Sequence, residues 1–160
     1  MMKHKKTNAM RMLERQGIAY QMNRYEVTDT HIDGEHVAEM IGVEPSHVFK
    51  TLVLENANHA HFVFVIPVNQ TLDMKKAAQA VREKKLHLLP LEQLKQVTGY
   101  IRGGCSPIGM KSKLPTIIDA TATGYEMIYV SGGERGLQIQ IEVSDLIQAI
   151  QAEVSDVSQR

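Results

Sequence analysis

Apolar positions recur along this chain with two periods, and each change of period marks the start of a new element. Ala9, Met10 and Leu13 share one face of a helix that Thr7 or Asn8 can cap and Gly17 stops. Ile18, Tyr20 and Met22 then alternate with polar residues, which predicts a half-buried strand continuing through Tyr25 toward Val27. A polar turn over residues 29–34 leads into a short helix with Val37, Met40 and Ile41 at helical spacing, ending at Gly42. Phe49-Lys50-Thr51-Leu52-Val53-Leu54 and His61-Phe62-Val63-Phe64-Val65-Ile66 are the richest β-forming runs, and the polar break between them predicts a hairpin.

Further on, Asp73 can cap a helix reaching Lys84, apolar at Met74, Ala77, Ala78 and Val81, and a second helix over residues 91–97 stops at Gly99. Thr116-Ile117-Ile118-Asp119, Met127-Ile128-Tyr129-Val130 and Leu137-Gln138-Ile139-Gln140-Ile141 predict three more strands, the last strictly alternating, before a final helix from Ser144. Strands and helices mix without a regular βαβ order. The expected class is therefore α+β, a mixed, largely antiparallel sheet with flanking helices, forming one domain over residues 1–160.

Composition removes several function classes. The 18 basic and 18 acidic side chains cancel, so no whole-molecule field points to nucleic acid. The one cysteine, Cys105, rules out an intramolecular disulfide framework and suits a reducing, cytoplasmic setting. No apolar run approaches the roughly 20 residues of a membrane span, and the basic start Lys3-His4-Lys5-Lys6 has no signal-peptide core behind it.

The chemistry concentrates in loops. From Gly99 to Gly109 the chain places four glycines and a proline in eleven residues, which fits either a tight connection or a loop that presents backbone amides to a ligand. Ser131-Gly132-Gly133-Glu134-Arg135-Gly136 is a second glycine-rich loop joining two strands, and two such loops can face one another across a pocket. Lys50 shares a strand face with Leu52 and Leu54; it either reaches out to solvent or holds an anionic group in a cavity. Cys105 has no histidine identified as its base and reads as a small hydrophobe. The histidines, His31, His36, His59 and His61 among them, lack metal-ligand spacing and read as solvated side chains. Asp119 and Glu134 fit either acid–base work or turns.

Val48-Phe49-Lys50-Thr51-Leu52-Val53, the loop from Thr98-Gly99-Tyr100 through Ser106-Pro107-Ile108-Gly109, Leu114-Pro115-Thr116-Ile117-Ile118-Asp119 and Ile128-Tyr129-Val130-Ser131-Gly132-Gly133 together resemble the YbaK/EbsC family of free-standing aminoacyl-tRNA deacylases. The likeness runs from Lys6-Thr7-Asn8-Ala9 to the last helix. It implies a barrel-like core similar to the editing domain of bacterial prolyl-tRNA synthetases. The implied activity is trans-editing, the hydrolysis of misacylated tRNA and most typically Cys-tRNA(Pro), because a proline pocket discriminates against small amino acids by only ~1–3 kcal/mol. Other substrates within the resemblance are Ala-tRNA(Pro) or another misacylated tRNA, and the alternative class is a non-catalytic module binding tRNA or synthetase.

The resemblance further implies that Lys50 is the catalytic lysine and that Gly103, Gly104, Ser106, Pro107 and Gly109 form one wall, with Ser131, Gly132 and Gly133 forming another. Tyr25 and Thr51 complete the pocket. It implies no cofactor, no metal and no protein nucleophile, the substrate's own thiol attacking instead. Its partners are the tRNA 3′ end, held through Lys50 with Arg102, Lys111 and Lys113, and a transient complex with the synthetase. Two positions depart from the pattern: Cys105 replaces the usual aliphatic residue, and Gln138 stands where some relatives carry an acid.

Overall fold

The computed structural model describes residues 5–27 and 33–159. The basic start at Lys3-His4, most of the 29–34 turn and His31 lie outside that range. Helix α1 (Asn8–Arg15) begins where Thr7 Oγ1 accepts from Met10 N, and it ends at Gln16 before the left-handed Gly17. Strand β1 is Gln21–Arg24, shorter than the alternation predicts, and Met22 on it is exposed. Helix α2 (Gly34–Met40) is capped by the Asp33 carboxylate, which accepts from His36 N. A 3-10 turn at Pro45–His47 then feeds the hairpin of β2 (Phe49–Glu55) and β3 (His61–Pro67).

After the hairpin come α3 (Met74–Ala80), β4 (His87–Leu88), α4 (Leu94–Thr98), β5 (Thr116–Asp119), β6 (Met127–Ser131), β7 (Leu137–Glu142), α5 (Val143–Ile150) and β8 (Glu153–Ser155). Helix α3 stops at Ala80, short of the expected Lys84, and Arg82 just beyond it takes a left-handed backbone. A buried Asp119 ties the C-terminal segment to β5: its Oδ1 accepts from Val157 N and Ser158 N, and its Oδ2 from Thr121. These bonds commit the carboxylate to structure.

The fold is α+β, with two sheets ordered β1-β7-β6 and β4-β2-β3-β5-β8. Pairing is antiparallel except for β3–β5 and β5–β8. The main core lies between the sheets, where Phe49, Val63, Val65 and Ile118 meet Ile128, Val130, Leu137, Ile139 and Ile141, with α1 and α5 packed against them. A second core, with Phe64, Ile66 and Leu54, covers the other face of the larger sheet beneath α3. Burial on both faces accounts for the nearly continuous apolar run of β3.

The barrel-like core is open. Strand β4 covers β2 only at Leu54 and Glu55, and a single parallel bridge joins Val48 to Tyr129 of β6. Between these contacts the outer edge of β2 lacks a strand partner among the described residues. Leu89 N donates to the Val53 carbonyl on that outer side, so antiparallel alternation turns the N–H and C=O of Thr51 the same way, into the gap.

At the far end of β2 the picture of solvated histidines holds for the exposed His59 and is corrected for His61, which is partly buried. His61 and His87 are the cross-strand partners of Glu55, and their Nε2 atoms lie 3.2 and 2.9 Å from its buried carboxylate, with His59 Nδ1 at 3.6 Å. The two strand histidines flank the acid from opposite sides, and no group of ligands among the described residues is arranged to hold a metal. Nor is any helix among them long and apolar enough to cross a membrane.

Candidate active site

The gap beside β2 opens into a cavity of about 420 Å³. Lys50, Thr51 and Leu52 form its floor, α2 contributes Glu35 and Val37, and the first glycine loop contributes Arg102, Gly103 and Cys105. Tyr25, Ser131 and Gln138 form the remaining side. Residues from both faces of β2 reach it because it lies along the strand's open edge. It occupies the opening left where the barrel-like core does not close.

Two glycine loops are held rigidly around it. Tyr100 OH donates to the Ile108 carbonyl at 2.6 Å, and Lys111 N to the Thr98 carbonyl at 2.9 Å, so the first loop is closed at its base and spanned through its middle. Burial raises the Tyr100 hydroxyl pKa well above the phenol range and keeps it a donor. Thr7 Oγ1 donates to the Gly132 carbonyl at 2.6 Å, pinning the second loop to the start of α1.

The cavity walls bring together five of the expected site residues: Tyr25, Lys50, Thr51, Gly103 and Ser131. The others support the loops from behind. Ser106 is fully buried and accepts from Ile108 N, while a Cβ on Gly109 would sit 2.7 Å from the Asn8 carbonyl of α1. Pro107 and Gly109 face a separate groove beside Met12 and Ile150. A Cβ on Gly132 would strike Leu137, one on Gly133 would press on Thr7 and Tyr100, and one on Gly104 would strike the backbone of the second loop. Several loop amides are already engaged, Gly104 N by the Ile101 carbonyl and Gly133 N by Ser131 Oγ.

Lys50 is half-buried, and burial lowers its pKa, with the Glu35 carboxylate partly restoring the charge. A desolvated ammonium under little competition from water is a strong partner for an anionic group or a developing oxyanion. Cys105 is the reverse case: burial lifts its thiol to about 11, so it stays protonated and is a poor nucleophile at neutral pH. Glu134 is paired with Arg24 at 3.0 Å.

Sequence reasoning left Gln138 and Glu35 out of the site. Gln138 opposes Asn23 on β1 and Ser131 on β6, so the three form a polar row across the smaller sheet, on the face turned from the core. The strict alternation of β7 marked that face as polar. It gave no sign that the face would be roofed by a cavity.

Comparison with known proteins places these features in a family. Residues 32–149 match the family model described as the aminoacyl-tRNA editing domain. A protein of Enterococcus faecalis, described as a candidate Cys-tRNA(Pro)/Cys-tRNA(Cys) deacylase, EbsC, is 42% identical over 153 residues, covering 96% of this chain and 93% of its own length. Among solved structures, a candidate trans-editing enzyme for prolyl tRNA synthetase superposes with a TM-score of 0.85 at 22% identity, covering 96% of both chains. The hypothetical protein APE2540 superposes at 0.86 with 20% identity, covering 95% of this chain and 99% of its own.

Proposed function

The chain belongs to the aminoacyl-tRNA editing domain family, and from that membership we propose that it is a trans-acting deacylase that cleaves the ester between cysteine and tRNA(Pro). The observation that carries this reading is the half-buried Lys50 ammonium on the wall of a cavity rimmed by two braced glycine loops. Such a site binds an ester at a polyanionic terminus and has no activated protein nucleophile to offer: its one thiol is held protonated.

In the proposed reaction the substrate's thiol attacks its own ester carbonyl. A carbon–sulfur bond forms as the carbon–oxygen bond to the terminal ribose breaks, and the thiol proton ends on the departing ribose oxygen. Water then opens the thiolactone. Lys50 steadies the carbonyl oxygen or the adjoining phosphate, and the loop walls hold the thiol against the carbonyl, so that proximity replaces an enzyme nucleophile. Phosphate contacts through Lys50 and Arg102 make the rate fall with added salt. A transient complex with prolyl-tRNA synthetase supplies the choice of tRNA.

The test is a panel of purified Cys-tRNA(Pro), Cys-tRNA(Cys) and Ala-tRNA(Pro), each incubated with the protein with and without the synthetase. Loss of cysteine ahead of alanine supports the reading. Alanine released as fast as cysteine excludes thiol assistance, and tRNA bound without turnover would leave a binding module.

A further inference from the structure

Gln138 carries an unanswered hydrogen-bonding group. The residue is only 6% exposed and lines the cavity, yet its amide oxygen Oε1 has no donor among the described residues. Thr51 Oγ1, on the same cavity, is likewise buried without a partner among the described residues. Buried polar atoms are nearly always paired, so two orphans on one cavity wall mark where a bound molecule completes the set. An amide oxygen only accepts. Its missing partner is therefore a donor on the ligand.

An aminoacyl ester of a ribose offers three kinds of donor: the α-ammonium, the ribose hydroxyl and, for cysteine, a weakly donating thiol. The ammonium has three N–H groups and a charge, and charge-assisted bonds are about twice as strong as neutral ones. Strand alternation turns the Thr51 side chain to the face of Phe49, while the Val48–Tyr129 bridge and the Ser131–Gln138 pair put Gln138 on the face of Lys50, so the cavity at the strand's open edge is lined from both faces. The Glu35 carboxylate on the same cavity lowers the cost of a second positive charge.

We propose that Gln138 Oε1, with Thr51 Oγ1, receives the α-ammonium of the aminoacyl group and so makes the site select esters whose α-nitrogen is free. The inference rests on the deacylase reading for the identity of the ligand. It makes Gln138 a specificity-determining residue that rejects N-acylated esters, peptidyl-tRNA among them: acylation removes the charge and most of the donors, leaving both oxygens buried and unpaired.

The test uses two non-hydrolysable probes, 3′-cysteinylamino-3′-deoxyadenosine and its N-acetyl derivative, titrated calorimetrically into the wild type, Gln138→Leu, Gln138→Glu and Thr51→Val. The wild type should bind the free amine about 10- to 100-fold more tightly than the acetylated probe. Gln138→Leu should bring that ratio to within about threefold of unity, while Gln138→Glu, which keeps an acceptor, should preserve it. A full ratio in Gln138→Leu, a ratio lost in Gln138→Glu, or a wild type that binds both probes equally or neither overturns the proposal. Should Gln138→Leu not fold, Gln138→Glu and Thr51→Val decide it: the first must keep the preference for the free amine and the second must weaken it. Turnover separates the two readings. Hydrolysis of Cys-tRNA(Pro) with no amine preference sinks this inference alone, and an amine preference without turnover sinks the deacylase alone.

Discussion

Gly104 lies against the peptide joining Glu134 to Arg135: a Cβ at position 104 would fall 2.9 Å from Arg135 N and from the Glu134 carbonyl carbon. The two glycine-rich loops that frame the cavity thus lie backbone against backbone, with no room for a side chain at position 104. Gly104→Ala is expected to destabilise the fold by about 1–3 kcal/mol through overpacking and to reduce deacylation more than tenfold by separating the loops. Thermal denaturation and a single-turnover assay read the two effects.

Lys50 should cost stability where it serves function. Its folded pKa is lowered by burial, so the folded protein bears the penalty of a desolvated charge below that pKa, and the penalty is relieved as pH rises toward the ordinary lysine value near 10.4. Lys50→Met is therefore expected to melt higher than the wild type near pH 7, the difference shrinking toward pH 10 and above. Deacylation by the wild type should fall as pH rises through the lowered lysine pKa. A Lys50→Met protein that melts no higher than the parent would remove the burial penalty from the account.

Cys105 should prove chemically quiet. With its thiol raised to about 11, alkylation by iodoacetamide at pH 7.5 is expected to be slow. Cys105→Ala should deacylate within about threefold of the wild type, a change in barrier below 1 kcal/mol. A loss of a hundredfold would point to a thiol role that the burial does not predict.

Glu55 should govern acid stability. Its pKa is lowered chiefly by the hydrogen bond from His87, with His59 and His61 adding to it. A carboxylate with a depressed folded pKa stabilises the protein above its unfolded value near 4.3, and the contribution is lost as pH falls through the folded pKa. Glu55→Gln is expected to lower Tm near pH 7, with the gap closing below about pH 4. A constant gap across that range would assign the effect to packing.

Much of this arrangement was legible in the chain. Thr7 and Gly17 bracket α1 as their chemistry requires, and the β2–β3 hairpin follows from two β-branched and aromatic runs around a polar break. The short strands were not. Glu153–Ser155 is three residues long with two of them exposed, and it exists because Asp119 holds the backbone that follows; no periodicity encodes that. Strand β1 keeps the expected alternation, Met22 pairing with the core residue Ile139, but it is a short edge strand on which even that face stays exposed. Lys50 was conspicuous as a charge among leucines. Gln138 stood out only as a departure from the family pattern, because a glutamine alternating with apolar residues looks like a solvent face, and only the α2 and β2 residues brought over it by tertiary structure make it a buried wall.

The most direct measurement is the release of labelled cysteine from preformed Cys-tRNA(Pro) by the purified protein and by Lys50→Ala, at low salt and in excess over substrate. Release well above the spontaneous rate by the wild type, lost at least a hundredfold in the variant, is the predicted result. Equal rates for the two proteins would contradict the assignment of Lys50 and of the cavity at the open edge of β2.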